Sequence, residues 1–145
     1  MRLLRFLFTL LLLTSFISCS TQKEERVFDY EDFIDLKISW DDLLTQEKET
    51  YFVYVYSEYC SHCNHIKQGV LKFIFNHQDM SYLIQYSSSI PIDNDLEKTI
   101  GKDDINDIFI KGTPTLLSID KSTLIMNITG ESTIAQYIEN YPTYL

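Results

Sequence analysis

Cys60 and Cys63 are the residues whose type and spacing most clearly allow chemistry, because only Ser61 and His62 separate them. An apolar, β-prone run at 51–56 precedes the pair, which stands where the pattern predicts the start of a helix. Unpaired backbone N–H groups and the dipole at a helix start favour a thiolate on the first sulfur. The thiolate is the nucleophile of thiol–disulfide exchange. The sequence therefore favours a redox-active pair over a structural disulfide or half of a zinc site.

Four potential metal ligands, Cys60, His62, Cys63 and His65, stand close together in this segment. So short a segment cannot easily surround one tetrahedral ion, and the sequence has no second pair of such ligands elsewhere. We therefore predict no metal site and no cofactor. His65 is expected on the solvated surface, and His77 is expected to interact with the dipole at a helix end.

The N-terminus has the charge layout of a secretory signal. Arg2 and Arg5 precede an apolar run at 6–17, which is too short to span a bilayer comfortably. The following segment, 16–19, resembles the signal box of bacterial lipoproteins, in which the cysteine is diacylated and becomes the first residue of the mature protein. This resemblance predicts lipidation of Cys19, and the alternative is an ordinary signal peptide cut nearby.

These features predict three parts: a signal peptide at 1–18, a lipidated tether at 19–28, and one domain at 29–145. The length suffices for a single domain with a real core. Cleavage would remove two arginines and no acid, which changes the net charge from −9 to −11. This charge argues against a nucleic-acid partner and against electrostatic docking on anionic lipid. A lipid anchor would therefore have to hold the domain at the cell membrane.

Hydrophobic periodicity predicts alternating strands and helices. An amphipathic helical segment is expected around 40–46, and a short helix with surface loops is expected between 93 and 107. The predicted strands are 51–56, 82–86, 115–119 and 124–128, and the longer helices are 61–76 and 132–141. Strand–helix–strand followed by a hairpin and a helix predicts an α/β fold with a mixed central sheet and helices on both faces.

Two further segments carry a resemblance to a known family. Residues 55–63 resemble the active-site segment of thioredoxins, in which a strand leads into an aromatic-flanked Cys-x-x-Cys. Residues 111–115, Lys-Gly-Thr-Pro-Thr, resemble the cis-proline loop of that family, and Gly130 before the last helix also matches. The likeness covers most of 35–145 and implies a thioredoxin-like fold.

The same resemblance implies roles for individual residues. Cys60 would be the exposed attacking thiol and Cys63 the resolving thiol one turn into the helix. Pro114 would follow a cis peptide bond and face the sulfurs without presenting an N–H group. The backbone of Thr113 would pair with an extended substrate segment.

His62 occupies a position that tunes redox poise in the family, and a histidine there resembles the strongly oxidising members. An imidazole near Cys60 can stabilise its thiolate and hence the reduced form, which makes the disulfide a better oxidant. The alternative is a solvated histidine that only caps the turn. Tyr54 stands where cytosolic thioredoxins carry a buried acid, which fits a slower or more specialised exchange partner.

The sequence thus predicts a thiol–disulfide oxidoreductase outside the cytoplasm, anchored as a bacterial lipoprotein. Its substrate would be a cysteine-containing secreted or envelope protein. It would oxidise substrate thiols rather than reduce substrate disulfides, and a separate redox partner would complete the cycle. A weaker likeness connects the chain with thioredoxin-like accessory proteins of bacteriocin export. The alternative is a non-enzymatic peptide-binding or secretion-accessory lipoprotein that uses the groove at Pro114.

Overall fold

The computed structural model describes residues 26–142, which fold around one four-stranded sheet. The strands are β1 (Thr50–Tyr56), β2 (Ser81–Gln85), β3 (Thr115–Asp120) and β4 (Thr123–Thr129), and the α-helices are α1 (Ser61–Asn76) and α2 (Glu131–Asn140). Short 3₁₀ helices lie at Tyr30–Leu36, Gln78–Met80, Leu96–Thr99 and Ile105–Asp107.

Strand β1 lies inside the sheet, whose strand order is β2–β1–β3–β4. It runs parallel to β2, with Val53 opposite Tyr82, and antiparallel to β3, with Val53 also opposite Leu117. The parallel pair requires a crossover connection, and α1 supplies it. Because β1 has a strand on each side and apolar layers on both faces, residues 51–56 are all buried.

The two faces of the sheet belong to different apolar clusters. Phe52, Tyr54 and Tyr56 pack with side chains of α1 and α2 on one face. The alternate residues of β1 pack on the other face with side chains from 40–44 and from the loops between 90 and 110. This alternation follows from the two-residue period of a strand.

The predicted fold class is confirmed: the chain has an α/β, thioredoxin-like fold with a mixed central sheet and helical segments on both faces. Each predicted strand and longer helix begins and ends within one residue of its observed bounds. Both α-helices cover the same face. On the opposite face, loops and short 3₁₀ helices form the covering layer, and Ile105 packs against the cluster there.

The amphipathic segment around 40–46 does not form the predicted helix. It forms consecutive turns, in which the N–H groups of Asp42 and Leu43 donate to the carbonyls of Ser39 and Trp40, three residues back. A segment this short cannot offset the cost of helix nucleation. Its apolar spacing serves burial against the sheet instead.

The 3₁₀ helix at Tyr30–Leu36 was not predicted. Asp29 and Asp32 form a reciprocal capping box at its start, and the buried side chains of Tyr30 and Phe33 hold it against the core. The aspartate spacing is the signal in the sequence that would have identified it.

The start of the described chain is packed against α1. Phe28, the last residue of the predicted tether, is buried, and its backbone N–H and carbonyl both bond to the side-chain amide of Gln68. The predicted signal peptide at 1–18 and the predicted lipidation site Cys19 lie outside the described residues. Within 26–142, no helix has the length and apolar character needed to cross a membrane.

Candidate active site at Cys60 and Cys63

The end of β1 and the start of α1 place Cys60. The strand ends at Tyr56, a turn closes with the N–H of Cys60 donating to the carbonyl of Ser57 at 3.2 Å, and Cys60 then caps α1. Its Sγ accepts a hydrogen bond from the backbone N–H of Cys63 at 3.3 Å. The first sulfur therefore occupies the place of an N-cap acceptor, as the sequence predicted from the helix start.

The two cysteines differ in exposure and in acidity. Both are free thiols, and Cys60 is partly exposed whereas Cys63 is fully buried. Partial burial acts to raise the pKa of Cys60. Hydrogen bonds with the side chains of Cys63 and Thr113 and with the backbone N–H groups of Cys63 and His62 outweigh it and leave the pKa below its usual value. Burial raises the pKa of Cys63 to about 11. The nucleophilic thiolate of this pair is therefore held at Cys60.

The loop before β3 faces the first sulfur. The peptide bond between Thr113 and Pro114 is cis, as the resemblance predicted, and Pro114 is buried. The Cys60 thiol donates to the carbonyl of Thr113 at 3.3 Å. The N–H of Gly130 donates to the carbonyl of Pro114 at 2.9 Å and fixes the loop against the start of α2. The structure thus brings Thr113, Pro114 and Cys60 together.

A shallow groove of about 350 Å³ borders this loop. Its lining residues come from the start of α1, the cis-proline loop and the start of α2: His62, Thr113, Pro114, Gly130, Glu131, Ser132 and Thr133. The sequence predicted the first three of these as site residues, and Gly130 belongs to the family resemblance, but the wall formed by 131–133 was not predicted. The positive φ of Gly130, 102°, turns the chain from β4 directly into α2 and so places this wall beside the cysteines.

The imidazole of His62 does not hydrogen-bond to Cys60 in the described part of the chain; its Nδ1 lies 2.9 Å from Oε2 of Glu131. His65, which was expected on the solvated surface, is exposed and also places Nδ1 3.1 Å from the same oxygen. Hydrogen bonds with the two histidines hold the pKa of Glu131 below its usual value, and the bond with His62 has the larger effect. Residue 62 acts on Cys60 through its backbone N–H.

Buried tyrosines surround the second sulfur. Tyr54 is fully buried in the same cluster as Cys63, and the hydroxyls of Tyr30, Tyr54 and Tyr56 have no hydrogen-bond partner within the described chain. Burial raises the pKa of Tyr54 far above its usual value, and Tyr30 and Cys63 raise it further. A neutral hydroxyl therefore stands at the position where the sequence resemblance would place a buried acid. Tyr30 is the member of this group that the sequence analysis missed.

The sequence matches no family model and no curated protein. Among solved structures it is similar to thioredoxin f2 of Chlamydomonas reinhardtii, with 18% identity and a TM-score of 0.47 over 74% of this chain and 96% of that one. It is similar to oxidised mitochondrial thioredoxin 3 of Saccharomyces cerevisiae, with 16% identity and a TM-score of 0.46 over 72% and 92% of the two chains. It is also similar to the Drosophila melanogaster thioredoxin Deadhead, with 9% identity and a TM-score of 0.45 over 81% of this chain and 99% of that one.

The fold assignment rests on this chain's own topology. The sheet order, the Cys-x-x-Cys at the start of the crossover helix and the cis-proline before β3 together define a thioredoxin-like arrangement. Such an arrangement is suited to thiol–disulfide exchange.

Proposed function

We propose that this protein is a thiol–disulfide oxidoreductase that acts outside the cytoplasm and oxidises cysteine-containing secreted or envelope proteins. One observation carries the proposal: a partly exposed Cys60 with a lowered pKa and a buried Cys63 with a raised pKa stand one helical turn apart, against a cis-proline loop. Because of this asymmetry, Cys60 would form the mixed disulfide with a substrate and Cys63 would resolve it.

The oxidising cycle begins with the Cys60–Cys63 disulfide. A substrate thiolate attacks Sγ of Cys60, the disulfide bond breaks, and Cys63 leaves as a thiolate that takes up a proton. A second substrate thiolate then attacks the substrate sulfur of the mixed disulfide, and Cys60 leaves as a thiolate. The substrate has lost two electrons to the enzyme and two protons, of which Cys63 takes up one and solvent takes up the other. A partner disulfide would accept the two electrons and restore the oxidised pair.

The acidity of Cys60 supports the oxidising direction. A thiol with a low pKa is a good leaving group, so release of the oxidised substrate from Cys60 is fast. The hydrogen bonds that stabilise the Cys60 thiolate also stabilise the reduced protein, which makes the disulfide a stronger oxidant. Reduction of substrates would instead require a partner that keeps the pair reduced.

The groove gives the substrate a place beside Cys60. An extended segment that pairs with the backbone of Thr113 would lie along Pro114 and against the wall at 131–133, with its cysteine at the attacking sulfur. The same groove would serve the alternative function, in which the protein binds peptides without turnover.

The proposed location rests on the N-terminal sequence pattern. Cleavage after residue 18 and diacylation of Cys19 would anchor the domain at the outer surface of a bacterial cell membrane. Intact mass spectrometry of protein from a membrane fraction tests this directly. The expected species lacks residues 1–18 and carries a diacylglyceryl adduct, and an unmodified Cys19 in that fraction would refute the lipid anchor.

Trapping variants test the exchange mechanism. Cys63→Ser should accumulate mixed disulfides between Cys60 and its substrates, whereas Cys60→Ser should trap almost none, because Cys63 is buried. Oxidative refolding of reduced ribonuclease distinguishes the enzyme from the peptide-binding alternative. Catalysed refolding is expected for the wild type, and equal trapping by both variants together with absent refolding would overturn the proposal.

A further inference from the structure

Two histidines and a glutamate converge beside the redox pair. His62 and His65 stand three residues apart near the start of α1 and so share one face of the helix. Glu131 is the first residue of α2, and its Oε2 lies 2.9 Å from Nδ1 of His62 and 3.1 Å from Nδ1 of His65. The ligand atoms of all three side chains lie within 4.8 Å of one another.

This set of donors matches a divalent transition metal. Imidazole nitrogen and carboxylate oxygen are ordinary Zn²⁺ ligands, and two histidines with one glutamate form a known class of zinc site with one position left open. In a tetrahedral site with bonds of about 2.0–2.1 Å, neighbouring ligand atoms are separated by roughly 3.3 Å. The observed contacts of 2.9 and 3.1 Å are close to that spacing, so small side-chain rotations would admit the ion.

Exposure and charge also suit an ion that enters from solvent. The side chains of the two histidines are 64% and 66% exposed, and that of Glu131 is 33% exposed, so an entry path exists. The positive dipole ends of α1 and α2 meet here and oppose a cation. The Glu131 carboxylate compensates for them locally, and the formal net charge of −9 attracts cations to the protein as a whole.

We propose that His62, His65 and Glu131 bind a divalent transition-metal ion, with Zn²⁺ the best match, at the rim of the groove beside Cys60. The sequence predicted no metal site, because ligands within residues 60–65 cannot easily surround one ion and no second pair of such ligands stands elsewhere. The third ligand comes from a distant part of the chain, which the fold brings to the same place. Because His62 and Glu131 also line the groove, the open position would be filled by water or by a donor group of a bound peptide.

Calorimetric titration with Zn²⁺ tests the site without reference to exchange activity. The tag-free protein is used with Cys60 and Cys63 oxidised and any other thiol alkylated, so that sulfur cannot bind the ion. We expect one equivalent to bind and EDTA to reverse it. His65→Gln and Glu131→Gln should each weaken binding by at least about tenfold.

His77→Gln is the matched control, since His77 lies at the opposite end of α1 with Nδ1 bonded to the carbonyl of Phe73. It should change the affinity by less than about twofold. Circular dichroism and thermal melting would verify that each variant is folded. Dissociation constants weaker than about 1 mM for the wild type, or equal losses in all three variants, would show an ion-free histidine–carboxylate cluster and overturn the proposal. Either result leaves the exchange mechanism standing, because trapping at Cys60 is measured separately.

Discussion

The two sulfur atoms of the redox pair are one helical turn apart but lie in regions of opposite character. Cys60 is partly exposed and contacts Thr113, a residue of the groove lining, and backbone N–H groups are directed at its sulfur. Cys63 stands in the core beneath it, among tyrosine rings. Stacked rings form that layer, with centroids 3.7 Å apart for Tyr30 and Tyr56 and 6.1 Å apart for Tyr54 and Tyr56.

The comparison shows how one motif yields two different thiols. Both residues are cysteines on the same helix, so intrinsic chemistry cannot separate them. Burial without a compensating charge disfavours the thiolate at Cys63, whereas donors at the helix start favour it at Cys60. In the reduced protein the negative charge is therefore held at Cys60, and a thiolate that forms at Cys63 takes up a proton.

The largest expected effect is the difference in alkylation between the two thiols. The pKa of Cys60 lies below the ordinary value and that of Cys63 is raised to about 11. Near neutral pH the thiolate fraction should therefore favour Cys60 by at least about 100-fold. Iodoacetamide labelling of the reduced protein, resolved by peptide mass spectrometry, measures both rates.

The labelling rates of the two thiols should also depend on pH in different ways. Labelling of Cys60 should rise with pH and level off above its lowered pKa, whereas labelling of Cys63 should continue to rise toward about pH 11. In denaturant both cysteines should react alike, which serves as the control. Equal rates in the folded protein would remove the asymmetry on which the proposed mechanism depends.

Tyr54→Phe tests the buried region. The hydroxyl of Tyr54 is neutral, has no partner in the described chain, and belongs to the same cluster as Cys63. If it donates to the Cys63 thiolate as the disulfide opens, its removal should slow exchange by about tenfold, the value of one charge-assisted hydrogen bond, and raise the pKa of Cys63. Stability should change little because no folded-state hydrogen bond is lost.

Tyr56→Phe is the matched control for that substitution. Tyr56 stands two residues along the same strand, and its hydroxyl is also buried without a partner. We expect it to leave the exchange rate and the pKa of Cys63 unchanged. Equal rate losses in the two variants would indicate a general packing effect and exclude a specific role of Tyr54.

The smallest expected effect concerns the groove side of the pair. His62→Ala keeps the backbone N–H that acts on Cys60 and removes only an imidazole that is bonded to Glu131, so the redox potential should change by a few millivolts. His62→Pro removes the N–H and should shift the potential negative by up to about 30 mV, since that shift corresponds to about 1.4 kcal/mol. Equilibration with glutathione measures both variants, and an equal shift in the two would assign the effect to the imidazole.

The sequence predicted the regular elements well and the site in part. Apolar periodicity located β1 and α1 because each is long enough to display its period. The same periodicity wrongly predicted a helix at 40–46, where the apolar residues belong to turns that pack on the sheet. Local capping identified Cys60 as the acidic thiol, since an N-cap acceptor depends only on neighbouring residues.

The sequence by itself determined that Cys60 and Cys63 stand one turn apart at a helix start, in which order strands and helices follow along the chain, and where the proline loop lies, because these features depend on short-range spacing. Only the tertiary structure decided the partner of His62. The turn at Gly130 brings Glu131 to within 2.9 Å of a histidine 69 residues earlier in the chain, so that among the described residues the imidazole bonds to Glu131 and not to Cys60. Long-range electrostatic partners follow from how the chain packs, and local sequence carries no signal for them.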